Sequence, residues 1–422
     1  MGISQDVFIP PQTPYIRAFL QAVGGQLLYT LLYVLLHKSL QVIRYSLQVI
    51  RYHTNPMKRY AVQELVDGIL EHRTRICTNQ DTTGYRRFLA KAISLVESTR
   101  SQDAEAAQEL VECLLPHTGA SLRLGITGVP GVGKSTFIEA FGLMLVQQAH
   151  HVAVLAVDPS SKRTGGSILG DKTRMNQLSR APQAFIRPSP AGTTLGGVAQ
   201  RTRESLLLCE AAGFDVLLVE TVGVGQSETA VASMVDMFLM LLLPNAGDEL
   251  QGIKRGIMEL ADAFIINKAD TDKHAAERAA AHVRNAAHLS APKYPDWQPA
   301  VLLTSALEQT GMREVWSLCQ EFAGGFAGNR ANSASAHATT SGTLLHPRIE
   351  HLRRQQAVGW MNEAIARGLQ AMLDESEELR RLRTELQAAV LAQQYSPTLA
   401  AQRVLQAFEH IMRQQNTGGN AA

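Results

Sequence analysis

A chain of 422 residues with 45% hydrophobic content is long enough for two or three domains around a buried core, which places it among globular proteins. Lys and Arg total 40 against 38 Asp and Glu, a formal net charge of +2, so no overall field favours nucleic acid or an anionic membrane as the main partner. The four cysteines, Cys77, Cys113, Cys209 and Cys319, form no CxxC pair and lie too far apart for a disulfide framework or a zinc site, which fits a reducing, cytoplasmic setting.

Residues 1–56 differ from the rest. Asp6 is their one acidic residue, and Ala18 to Leu36 runs nineteen residues without a charge, close to the length of a membrane span. Gln21, Gln26 and the Gly24-Gly25 pair inside the run argue against an anchor, and there is no basic n-region or small-residue cleavage site of a secretory signal. An exact tandem repeat follows, SLQVIRY at 39–45 and again at 46–52. The segment reads as an extension, with the working protein starting near Met57; an acid-poor transit peptide, and with it a mitochondrial matrix location, is the alternative.

From residue 57 to 116, apolar residues recur at helical spacing, as in Phe88, Leu89, Ala92, Ile93 and Val96, so a small helical domain is expected. Across 117–323, short apolar runs (LRLGIT, VAVLAV, DVLLVE, MFLMLLL, AFIIN, AVLLTS) alternate with helical stretches. Continuous hydrophobicity means strands buried on both faces, hence an α/β fold with a mainly parallel sheet flanked by helices. Residues 324–345 are rich in Gly, Ala, Ser and Thr and read as a linker. The remainder, 346–415, carries amphipathic helices whose apolar positions pack on the body or, as the preferred reading, against a second subunit.

The strongest chemical signal is Gly128-Val129-Pro130-Gly131-Val132-Gly133-Lys134-Ser135, followed by Thr136. This GxxxxGK[ST] phosphate loop has a strand before it and a helix after it, the context that the motif requires. Its backbone N–H groups close around nucleotide phosphates, aided by the positive end of the next helix. Lys134 would bridge the β and γ phosphates, and the Ser135 hydroxyl would ligate Mg²⁺. Further along, Asn267-Lys268-Ala269-Asp270 follows the strand AFII. An Asp at that place accepts two hydrogen bonds from the N1 and N2 hydrogens of guanine, a donor pair adenine lacks. Ser305-Ala306-Leu307, at the end of the next strand, would complete the base pocket. Asp158, Asp171 and Glu220 are candidates for sensing the metal and the γ phosphate. Glu220 begins Glu220-Thr-Val-Gly223, where many GTPases carry Asp-x-x-Gly, and Gly223 can donate its N–H to the γ phosphate. The departure to Glu leaves direct and water-mediated metal contact both open, and Gln226 is the candidate for positioning the attacking water.

Taken in order, GVPGVGKST, AVDPSS, GGSILGDKTRM, FIRPSP, LGG, LVETVGVGQSE, LQGIK, NKAD and SALEQTG strongly resemble the MeaB/ArgK family, the GTPases associated with methylmalonyl-CoA mutase. The similarity covers roughly residues 85–412. It implies a homodimer of the metallochaperone-like P-loop GTPase group, binding GTP, GDP and Mg²⁺, with slow intrinsic turnover and a C-terminal dimerisation arm. The resemblance also implies a partner, an adenosylcobalamin-dependent mutase whose cofactor loading such a protein gates and which it protects from inactivation. Adenosylcobalamin would be met only through that mutase. By the same resemblance Ser135, Asp158, Asp171 and Glu220 surround the metal, Asp270 reads guanine, and Leu243 to Lys254, with Asp248, Gln251 and Lys254, forms a switch loop that reports nucleotide state to the mutase. Two other functions weigh against this one: a GTP-dependent metal inserter, which would need Cys or His clusters, and a kinase linked to amino-acid transport, for which no acceptor site is visible.

Overall fold

The computed structural model describes residues 56–78, 80–157, 175–188, 195–221, 227–244, 255–288, 293–324 and 346–417. The expected extension at 1–56 and linker at 324–345 therefore lie, but for a residue each, outside the described residues. Three helices come first, α1 (Pro56–Cys77), α2 (Arg86–Val96) and α3 (Ser101–Leu114). In α2 the buried residues are Phe88, Leu89, Ala92, Ile93 and Val96, one stripe of the helix, and that stripe turns inward.

Seven parallel strands make the centre: β1 (Leu122–Gly128), β2 (Val152–Val157), β3 (Ala184–Pro188), β4 (Val216–Thr221), β5 (Met237–Leu242), β6 (Ala263–Ile266) and β7 (Ala300–Leu303), in the order β3-β2-β4-β1-β5-β6-β7. Among them lie α4 (Lys134–Gln147), α5 (Leu195–Ala211), α6 (Ser227–Ala232), α7 (Arg255–Met258) and α8 (Lys273–His288), and α9 (Met312–Phe322) follows β7. The α/β expectation holds, and each of the six apolar runs is a strand. The seventh strand, β3, was not expected. It is an edge strand of five residues that buries only its first three and ends in Pro188, so it never presents a continuous apolar run.

Side-chain alternation along the strands sorts the core into two faces. Leu122, Leu124 and Ile126 of β1 share one cluster with Phe137 and Phe141 of α4 and Val315 and Trp316 of α9. Leu217 and Val219 of β4 point the other way, into a cluster with α1, α2, α3 and α5, and α8 continues that layer over β5 to β7. The first three helices thus share their apolar core with the sheet. A fully buried phenylalanine such as Phe137 contributes roughly 1.5–3 kcal/mol by area removed from water.

Three helices close the chain, α10 (Pro347–Glu375), α11 (Glu377–Leu391) and α12 (Pro397–Thr417). The first half of α10 docks on the body. Ile349 enters the first core cluster, Gln356 donates to the Val235 carbonyl at 2.8 Å, Trp360 to the Ser233 carbonyl at 3.1 Å, and Glu363 pairs with Arg203 at 2.6 Å. Its most highly bonded anchor is Arg353. The guanidinium takes both carboxylate oxygens of Asp236, at 2.7 and 2.6 Å, and donates to the carbonyls of Gly119 at 3.0 Å and Ser121 at 2.6 Å. Asp236 also accepts from the Arg123 backbone N–H, while the Arg123 side chain makes a two-pronged pair with Glu210 at 2.8 and 2.9 Å. Away from these contacts, Val358, Met361, Ile365, Leu369 and Met372 are exposed at spacings of three, four, four and three along α10. No helix among the described residues is long and apolar enough to cross a membrane.

Candidate guanine-nucleotide site

The phosphate loop leaves the end of β1 and feeds α4, so its backbone N–H groups gather at a helix N-terminus, where the helix dipole favours anions. Two glycines are dictated by geometry. A Cβ at Gly128 would stand 2.5 Å from the Leu241 carbonyl of β5, and Gly133 has φ +90 with the Asn267 amide 3.1 Å from where its Cβ would be. Val132 is fully buried in the core and pins the loop from below.

Lys134 lies almost buried at the start of α4, and its Nζ donates to the Gly128 carbonyl at 2.8 Å and the Val129 carbonyl at 3.5 Å. Burial pushes its pKa below the ordinary lysine value, and the nearby carboxylates of Glu220 and Glu228 oppose that shift. Ser135 donates from its hydroxyl to Glu220 Oε1 at 3.0 Å. Glu220 is the last residue of β4 but one, set opposite Ile126 of β1 on one side and Ala156 of β2 on the other. Hydroxyl and carboxylate are hard oxygen donors side by side at the phosphate end of the loop, a set that suits Mg²⁺, which takes one or two protein oxygens and completes its shell from phosphates and water. Among the described residues there is no group of three His, Cys, Asp or Glu that could hold a metal by itself.

Asn267 organises the base side. Its Nδ2 donates to the Val132 carbonyl at 2.8 Å, and its Oδ1 accepts from the Ala306 N–H at 3.2 Å and the Thr304 hydroxyl at 3.3 Å. One nearly inaccessible amide therefore ties the phosphate loop, the Asn-Lys-x-Asp turn and the loop after β7 together. Lys268, at φ +60, reaches over to donate to the Gly131 carbonyl at 2.8 Å. Asp270 is exposed in the turn that follows. In the loop after β7, Ser305 and Thr310 exchange backbone hydrogen bonds at 3.1 and 3.0 Å, Ala306 is buried and Leu307 is 80% exposed.

The structure thus brings Gly128 to Thr136, Glu220, Asn267, Lys268, Asp270 and Ser305 to Leu307 to one end of the sheet. Asp158, Asp171, Gly223, Gln226, Asp248, Gln251 and Lys254 lie outside the described residues. Two features were not read from the sequence. Glu228, buried at the start of α6, faces Lys134 as a second carboxylate; the signal for it is an acid placed soon after a Gly-rich segment, in GVGQSE. Thr127 and Thr221 form a buried hydroxyl pair, for which two threonines in apolar strands give no signal.

A phosphate loop joining a parallel strand to a helix, with Asn-Lys-x-Asp locked against it by Asn267, is the site of a P-loop GTPase. Residues 89–362 match the model of the family described as methylmalonyl Co-A mutase-associated GTPase MeaB, and the chain belongs to that family. Among its relatives, the GTPase ArgK of Escherichia coli is 47% identical over 315 residues, covering 74% of this chain and 90% of that protein. The mitochondrial methylmalonic aciduria type A homolog of Mus musculus is 44% identical over 337 residues, covering 77% of each chain. A crystal structure described as LAO/AO transport system kinase superposes with a TM-score of 0.60 at 37% identity, covering 81% of this chain and 97% of that one. The kinase description belongs to that structure.

Proposed function

We propose that this GTPase serves an adenosylcobalamin-dependent mutase of the methylmalonyl-CoA type, gating cofactor loading and protecting the enzyme from inactivation, with slow turnover when alone. The family description and the name of the mouse relative support that partner. The observation that carries the coupling is the Ser135–Glu220 contact. It joins the start of α4 to the end of β4, directly before the segment holding Gly223, so a change at the phosphates is felt where the chain leaves the sheet. Lys134 would hold the β and γ phosphates, the loop N–H groups their oxygens, and Gly223 the γ phosphate. Ser135 and Glu220, with Asp158 and Asp171, would hold Mg²⁺, which when bound neutralises charge building on the transferred phosphoryl group. Leu243 to Lys254, with Asp248, Gln251 and Lys254, would pass the state to the mutase, and adenosylcobalamin would be met only there.

A homodimer is supported by the exposed apolar row on α10, from Val358 to Met372, which a second copy would cover. We place the protein in the cytoplasm, with boundaries of 57–116, 117–323 and 346–415 for the helical, GTPase and dimerisation regions.

Steady-state hydrolysis of GTP by the full chain, alone and with purified methylmalonyl-CoA mutase from the same source, tests the partner. The rate should rise about tenfold or more, short of the 10³–10⁵ that an arginine finger supplies. An unchanged rate with GTP still bound would exclude this mutase as the activating client. Guanine recognition has its own test. Asp270→Asn exchanges an acceptor for an amide that can donate to the extra oxygen of xanthine, so GTP affinity should fall at least about 100-fold in favour of xanthosine triphosphate. Unchanged preference by isothermal titration would remove Asp270 from the base pocket.

A further inference from the structure

Glu220 and Thr221 are neighbours at the end of β4, and alternation sends their side chains to opposite faces of the sheet. Glu220 lies on the face of α4 and meets Ser135 there. Thr221 lies on the other face, completely buried, and its hydroxyl donates to the Thr127 hydroxyl at 2.9 Å, with the Ile126 carbonyl at a longer 3.5 Å. Thr127 is itself 2% exposed and immediately precedes Gly128 of the phosphate loop. On its other side Thr221 is paired in register with Val157, the last residue of β2. The Ile126–Glu220 pair is the last in the β1–β4 register, so one step further on the two strands are joined side to side by the two hydroxyls. A polar pair at this depth in an apolar layer is favoured only while both partners are present.

From this arrangement we infer that Thr221, through Thr127, is a positioning residue for the metal site: the hydroxyl pair fixes the spacing of β1 and β4 where both leave the sheet, and thereby holds the Glu220 carboxylate against Ser135. It sits on the face of the sheet opposite Ser135 and Glu220. The inference rests on the reading of Ser135 and Glu220 as the Mg²⁺ end of the site.

Thr221→Val keeps the shape and removes the donor, while Thr221→Ser keeps the donor. The readout is the Mg²⁺ concentration giving half-maximal tightening of GDP binding by the full chain, measured beside GDP affinity in excess EDTA. Thr221→Val should raise that concentration roughly tenfold, as loss of groups that orient metal ligands does, with affinity in EDTA within twofold of the parent. Thr221→Ser should restore the parent value. The pair acts as a unit, so Thr127→Val should give the same shift and the double Val variant no more than either alone. The double variant leaves no hydroxyl unpaired, so it decides the matter if a single variant does not fold. An unchanged Mg²⁺ requirement in the Val variants, or an equal loss with and without Mg²⁺, overturns the positioning role. Glu220→Gln separates the two levels. If it leaves the Mg²⁺ requirement unchanged, the metal-site reading fails and the route through Glu220 with it; if it raises the requirement and the Val variants do not, only the role of Thr221 is lost.

Discussion

Lys134→Ala lowers the GTP hydrolysis rate by roughly 10²–10³, the cost of deleting one preorganised charge-stabilising donor from a catalytic site, and weakens nucleotide binding with it. The expectation follows from where the ammonium sits. It is held at the start of α4 with little solvent contact, against the Gly128 carbonyl at 2.8 Å and in the field of two carboxylates, Glu220 and Glu228. Burial alone disfavours its charge, and the phosphates of a bound nucleotide would offset that cost, so the same group that is expensive in the folded protein is worth most once an anion arrives. Single-turnover hydrolysis with titrated GTP measures both effects. Retention of rate and affinity would remove the phosphate-loop assignment.

Arg353→Ala should cost about 3–5 kcal/mol of folding stability, the range for removing one partner of a buried charge network. Burial tends to lower the Arg353 pKa, but Asp236 and Glu210 more than reverse this and hold it above the ordinary arginine value. Burial likewise tends to raise the Glu210 pKa, while Arg123 and Arg353 bring it below the usual carboxylate value. A lowered folded-state pKa means stability that is present above the ordinary glutamate value and lost as pH falls through the folded one. The gap between the parent and the variant should therefore be full at neutral pH and narrow on acidification. Urea unfolding at pH 7 and pH 3 checks both statements, and an unchanged midpoint at pH 7 would show that Arg353 adds no net stability to the network. A chain cut before residue 346 loses this clamp along with the arm, so a test of dimerisation needs substitutions on the exposed side of α10, such as Ile365→Glu, that leave Arg353 in place.

The candidate nucleotide site could be read from the sequence because its residues are local. Gly128 to Ser135 and Asn267 to Asp270 are contiguous runs, and the strand and helix around each can be recognised from hydrophobicity within a dozen residues. The six apolar runs gave their strands for the same reason. What the sequence did not disclose depends on residues far apart. Asn267 reaches Val132 across 135 positions, and Arg353 reaches Asp236 across 117. Thr127 and Thr221 meet across 94 positions, and only because β1 and β4 are neighbours, which a chain-order reading cannot supply. The strand β3 escaped because an edge strand buries too little to leave a mark.

The 29-residue helix α10 is divided by its own contacts. The part up to Glu363 is bolted to the sheet base under β1 and β5, with Val358 and Met361 exposed on its outer side, and the rest continues that row with Ile365, Leu369 and Met372. At 1.5 Å per residue the part beyond Glu363 spans roughly 18 Å to the end that packs on α11 and α12 through Leu373, so a tilt of about 5° at the bolted end swings its tip by about 1.5 Å. The strands under the bolt are the ones whose far ends carry the phosphate loop and lead to the 245–254 segment. The helix thus joins a fixed end to an exposed one, and its length magnifies any tilt at the sheet base into a larger displacement at its far end.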